Sequence, residues 1–175
     1  MSVIRTLALG PFAAVAVLCL ALSRTDPSAS QGRPSFAGRW ISVPPQEVGA
    51  AWCSLGSPLT LTQDTQSLTA EWVSGSRSHA PVKLIYNFNG TERRNPELNG
   101  AAPFERLTRA VWKDQQLVLT TVWARENPGP IEITDVLTLT SPDSFSGEMT
   151  SRFIAKVEPF KDSTRTGKCT YRRAS

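Results

Sequence analysis

Beyond residue 30 the chain is regularly punctuated. Short runs rich in Val, Leu, Ile, Thr and Trp are separated by Gly, Pro, Asn, Asp and Ser about every ten positions. No stretch there carries an apolar stripe at helical spacing. The pattern predicts an all-β chain of about eight to ten strands in sequential hairpins. With too little helix to cover a sheet face, such strands bury their apolar sides by closing into a single antiparallel up-and-down barrel.

The strands are read from alternation. Phe36, Gly38 and Trp40 share one face of a first strand that Pro44-Pro45 stops. The connection from Gln46 to Ser57 carries Cys53. Leu59 to Gln63 and Leu68 to Trp72 form a hairpin around Asp64-Thr65-Gln66. Val82, Leu84, Tyr86 and Phe88 share a face and run into Asn89-Gly90. Both of those residues tolerate positive φ, so a type I′ hairpin returning through Thr91 to Asn95 is expected. Asn89-Gly90-Thr91 also has the form of a glycosylation sequon. Glu105 to Trp112 and Gln116 to Ala124 flank a turn at Lys113-Asp114-Gln115. On the second of these both faces are partly apolar, so inside and outside stay unassigned. Asn127-Pro128-Gly129-Pro130 is not strand. Ile131 to Leu139 and Phe145 to Ile154 follow, with Gly147 expected at a bulge. Lys156 to Gly167 reads as irregular, and Cys169 to Arg172 as a last short strand.

The N-terminus reads as an address. Arg5 precedes a charge-free run from Leu7 to Leu22, followed by a polar, Ser- and Ala-containing stretch. This is the layout of a signal peptide over residues 1–30, expected to form an N-terminal helix, with cleavage after Ser23 or Ser30. The alternative is an uncleaved anchor formed by residues 7–22, which would be the chain's only link to a membrane. Export to the periplasm or the medium leaves residues 31–175 as one barrel domain. Its core spans about 36–154, and a C-terminal extension is tied back to it. Of the three cysteines, Cys19 leaves with the signal peptide. In an oxidising compartment Cys53 and Cys169 then pair, bringing the first and last parts of the domain together. A loop of this length contributes about 4–5 kcal/mol in the chain-entropy picture.

The net charge of +4 is mild. Its basic excess lies in Lys156, Lys161, Arg165, Lys168, Arg172 and Arg173. No nucleic-acid motif accompanies it, so no nucleic-acid partner is expected. The single histidine, His79, sits in a Ser-rich loop beside Ser76 and Ser78. Neighbours in sequence do not make a triad, and no Gly-x-Ser-x-Gly elbow exists. One histidine and two paired cysteines do not supply a zinc site. No phosphate-cradling loop is present. Glu71, Glu92, Glu105 and Glu148 are scattered, as strand-surface charges are. The reading is a non-enzyme with no catalytic residue, metal or cofactor.

Phe36-Ala37-Gly38-Arg39-Trp40 resembles the Gly-x-Trp opening strand of lipocalin-like proteins. The likeness continues in Leu59-Thr60-Leu61-Thr62-Gln63-Asp64 and in Leu84-Ile85-Tyr86-Asn87-Phe88-Asn89-Gly90-Thr91-Glu92. It extends through Trp112-Lys113-Asp114-Gln115-Gln116-Leu117-Val118-Leu119. It ends with Ile133-Thr134-Asp135-Val136-Leu137-Thr138-Leu139-Thr140-Ser141-Pro142-Asp143. Over about residues 36–154 the chain looks like small exported bacterial lipocalin-like barrels of poorly assigned function. The resemblance implies that Trp40 of the Gly38-x-Trp40 motif closes one barrel end; Asn89 and Gly90 are structural positions as turn residues. Thr134-Asp135 only partly echoes the family's Thr-Asp-x-Tyr motif, with Leu137 where Tyr would stand. No C-terminal helix is evident.

The barrel reading gives the tryptophans two roles. As inward aromatics, Trp72, Tyr86, Trp112 and Trp123 line a lumen for a small apolar molecule, or they fill it as core. A hollow lumen makes the chain a small-ligand carrier. A filled one makes it an interaction protein, such as an exported protease inhibitor, acting through Gln31 to Ser35 or Gln46 to Ser57.

Overall fold

The computed structural model describes residues 32–43, 54–74, 80–95 and 105–175. The signal segment, Trp52, Cys53, His79 and most of the loop after Asn95 lie outside these residues. Arg33–Ser175 forms one compact unit and Met1–Gly32 another. In the larger unit ten antiparallel strands make a nearly closed barrel, with no helix among the described residues.

The strands are β1 (Gly38–Val43), β2 (Leu59–Gln63), β3 (Ser67–Val73), β4 (Pro81–Asn87) and β5 (Arg93–Asn95). They continue with β6 (Arg106–Lys113), β7 (Gln116–Trp123), β8 (Ile131–Ser141), β9 (Ser144–Phe153) and β10 (Ser163–Arg173). Their order is β4-β3-β2-β1-β10-β9-β8-β7-β6-β5. Every ladder joins sequence neighbours except β1–β10, which links the two ends of the chain. Alternation decides what faces inward. In β7, Leu117, Leu119 and Thr121 are buried, which settles the side that the sequence left open.

One ladder is missing, between β4 and β5, and side chains take its place. Asn95 Oδ1 accepts from Ile85 N at 2.9 Å, and Asn95 Nδ2 donates to Ile85 O at 3.3 Å. Thr108 Oγ1 donates to the same carbonyl at 2.5 Å and accepts from Asn95 Nδ2 at 2.6 Å. Asn95 and Thr108 are both buried, so these bonds satisfy polar groups that water does not reach.

This seam corrects the expected Asn89-Gly90 hairpin. β4 and β5 do not pair, and only Gly90 has a positive φ, at 74°. Gly90 N donates across the seam to Ala110 O on β6 at 3.1 Å. Asn89 Oδ1 instead accepts from Thr91 N at 3.0 Å and Thr91 Oγ1 at 2.6 Å. The tight two-residue turn is Asp114-Gln115 between β6 and β7, with Asp114 at φ 54°.

Two further expectations shift. Gly147 sits in regular register, opposite Leu137 and Cys169, and the irregularity in the β8–β9 ladder falls between Leu139 and Ser141. β10 is not a short terminal strand. It runs eleven residues and pairs with both β9 and β1. Its first half is exposed on both faces, so it carries no alternation for a sequence reading to find. The C-terminal residues are therefore a wall of the barrel rather than an extension of it.

Strand direction sorts the connections into two ends. The β2–β3, β4–β5, β6–β7 and β8–β9 turns, with the segment before β1 and the end of β10, lie at one. There Phe145 packs edge-on against Phe36 at 5.7 Å and Trp40 at 4.8 Å, and stacks on Tyr171 at 4.7 Å. Trp40 is fully buried and its indole Nε1 donates to Phe36 O at 2.8 Å. The Arg173 guanidinium lies 4.4 Å over the Trp40 ring and donates to Ala37 O at 2.9 Å. Gly38, at φ 141°, makes room: a Cβ there would lie 2.2 Å from Arg173 Nη1. We call this the packed end.

Candidate functional site

At the opposite end the described residues enclose a space. A pocket of about 160 Å³ is lined by residues of β3, β4, β6, β7 and β8 and by Ser54 and Leu55 before β2. Trp72, Val82, Arg106 and Trp123 sit at or next to the ends of their strands, and Leu84, Tyr86 and Asp135 lie deeper. Trp72 sits opposite Val82 in the β3–β4 ladder, and Trp123 opposite Arg106 in the β6–β7 ladder. The pocket is graded. Trp72, Val82, Arg106 and Trp123 are half-buried, whereas Tyr86, Thr121, Ile133 and Asp135 are buried.

The floor is polar. Asp135, 4% exposed, accepts at Oδ1 a hydrogen bond from Ser54 Oγ at 2.5 Å. Beside Ser54, Leu55 O accepts from Tyr171 Oη at 2.6 Å, so the segment before β2 is pinned by β8 and β10. Tyr86 Oη shares a hydrogen bond with Thr121 Oγ1 at 2.9 Å. Burial pushes the Asp135 carboxyl up to about 6, and the Ser54 bond offsets only part of that. Burial likewise raises the Tyr86 and Tyr171 phenols well above their usual range, with the Asp135 charge adding to both. Both phenols are therefore neutral at physiological pH, and that of Tyr171 donates to Leu55 O. At the rim the Arg106 guanidinium lies 4.9 Å over the Trp123 ring, and that of Arg125 lies 5.6 Å from it.

Three of the four residues expected to line a lumen, Trp72, Tyr86 and Trp123, meet in this pocket. Trp112 does not. Its ring lies at the packed end, 5.6 Å from Phe88 and 6.1 Å from Phe36, with the Arg33 guanidinium 5.8 Å away. Its buried Nε1 has no hydrogen-bond partner among the described residues. Alternation identifies the inward face but not the height along the barrel. Trp112 pairs with Leu117 and Arg106 with Trp123. Six positions of β7 separate the two levels, about 20 Å at the usual rise per residue.

Asp135 is the pocket residue that sequence reasoning left without a role. Its signal was present in the Thr134-Asp135 pair, and as a charged residue on the face of its strand that otherwise carries Ile131, Ile133, Leu137 and Leu139. The scattered carboxylates are surface groups, as expected of strand charges. Glu71 pairs with Lys83 at 3.0 Å, Glu105 with Arg94 at 2.9 Å and Glu148 with Lys168 at 2.9 Å. No group of three or more metal-ligating side chains occurs among the described residues.

Fold and site together define a small antiparallel barrel with one packed end and one pocketed end, its pocket aromatic-walled and acid-floored. The chain matches no protein-family model, and no curated protein shows significant similarity to it.

Proposed function

We propose that this chain is an exported, non-enzymatic, lipocalin-like barrel that binds one small, mostly apolar molecule in the pocketed end of its lumen. The observation that carries the reading is the pocket formed by Trp72, Tyr86 and Trp123 over a polar floor. Ligand sites are concave and mostly apolar, with a few convergent polar groups that orient the guest. The volume narrows the guest. A dry cavity of about 150 Å³ accommodates benzene, whereas drug-sized ligands need about 300 Å³ or more. At about 160 Å³ the pocket suits a molecule of roughly one ring rather than a long lipid. Cys169 is buried and is not a free thiol, in keeping with the proposed Cys53–Cys169 bridge and an oxidising compartment.

The interaction-protein reading retains one specific support. Ile154, Val157 and Phe160 are exposed together on the β9–β10 connection. The experiment that separates the two is native mass spectrometry of the protein recovered from its own host. The ligand reading predicts a reproducible small bound mass that Trp123→Ala diminishes. A clean unliganded mass, together with capture of a co-exported protease, overturns it.

A further inference from the structure

Asp135 is buried, lines an aromatic pocket and has no counter-ion among the described residues. Its one hydrogen bond comes from Ser54, and no cation of the described residues pairs with it. A buried carboxylate is ordinarily paired, because desolvating an unpaired charge is costly. The groups around it do not meet that need. On the flanking strands Leu119 of β7 and Met149 of β9 stand opposite it and are apolar. Tyr86 of β4 and Tyr171 of β10 are held neutral by burial. Arg106 of β6 lies at the half-buried rim on Trp123, and burial and the Ser54 bond alone account for the state of the Asp135 carboxyl.

The walls complete the argument. Trp72, Trp123 and Tyr86 line the same space, and Arg106 and Arg125 already lie against the Trp123 ring, as aromatic rings attract cations, most strongly when these are desolvated. A neutral guest would leave the carboxylate unpaired. An anionic guest would add a second negative charge beside it.

Resting on the ligand reading above, we propose that the guest is a protonated amine on a body of about one ring. Its ammonium pairs with Asp135 and its apolar part lies between Trp72 and Trp123. Asp135 thus selects for charge, and the volume of the pocket selects for size.

The test uses the full chain and three probes of matched ring and different head group: benzylamine, benzyl alcohol and benzoate. Affinities are read at pH 7.5 by calorimetry and by tryptophan fluorescence. Benzylamine is expected to bind at least tenfold tighter than benzyl alcohol, and benzoate weakest. Asp135→Asn, nearly isosteric, abolishes the amine advantage while keeping benzyl alcohol binding within about threefold. Lys83→Ala, on the exposed outer face of β4, retains the amine advantage and serves as the control. Equal affinity for amine and alcohol, or preference for benzoate, overturns the amine inference and leaves the lumenal-ligand reading standing. Failure of all three probes to bind overturns both.

Discussion

The two ends of this barrel are built from the same hairpins and finished in opposite ways. At the packed end Phe36, Trp40, Phe145 and Tyr171 interlock, and Arg173 caps the Trp40 ring while bonding Ala37 O. At the pocketed end Trp72, Tyr86 and Trp123 stand around a space of about 160 Å³ above Asp135. Aromatic content does not separate them. The packed end receives two extra segments, the lead-in before β1 and the end of β10, which fill its centre. Of the described residues, the other end receives Ser54 and Leu55, which form a floor beside the pocket. Large aromatic side chains thus interlock at one end, and the other leaves the space that the proposed guest would occupy.

The sharpest way to break this contrast is to truncate one tryptophan at each end. Trp40→Ala removes a fully buried side chain and is expected to cost about 3–5 kcal/mol in urea unfolding. Trp123→Ala, half-buried at the rim, is expected to cost less than about 2 kcal/mol. Similar costs would show that the two ends are packed alike.

A second contrast concerns pH. Asp135 titrates near 6 in the folded chain, against an ordinary 3.8. The folded state therefore holds its proton more tightly than the unfolded state. This contribution to stability is fully present below about 4 and is lost as pH rises through 6. The difference amounts to about 3 kcal/mol. Unfolding free energy measured at pH 4 to 7.5 is expected to fall by this order in the native chain relative to Asp135→Asn. A parallel profile for the two proteins would contradict it. At the packed end Trp40→Phe gives no such pH-dependent difference.

Next in size is the seam, which belongs to neither end. Asn95→Ala removes the side chain that satisfies both Ile85 N and Ile85 O, and should cost about 1–3 kcal/mol. Hydrogen exchange at the Ile85 amide should accelerate more than at amides of β8. Smallest is the outer surface. Lys83→Ala breaks an exposed pair with Glu71 and is expected to change stability by less than about 1 kcal/mol.

What was legible in the sequence follows from what a strand encodes. Alternation and turn residues marked the strands, and Val82-Leu84-Tyr86-Phe88 correctly gave an inward face. They do not encode position along the barrel axis, so Trp112 was grouped with Trp72 and Trp123. Asn89-Gly90 carried the composition of a tight hairpin, but long-range bonds from Asn95 and Thr108 replaced the ladder that such a turn implies. β10 was foreseen only where Cys169 and Tyr171 face the core. Asp135 was visible as a partial motif. Its meaning depended on Ser54 and Tyr86, far away in sequence, coming to the same pocket.

The central claim is that the guest binds in the aromatic pocket above Asp135, and not in the open groove lined by Arg33, Gln66 and Asn87 at the other end. The most direct measurement follows the indole N–H signals of the 15N-labelled protein by NMR during titration with benzylamine. The account predicts saturable shifts of Trp72 and Trp123, with Trp40 and Trp112 unmoved. Saturable shifts of Trp40 or Trp112 with Trp72 and Trp123 silent, or no saturable shift at all, would contradict it.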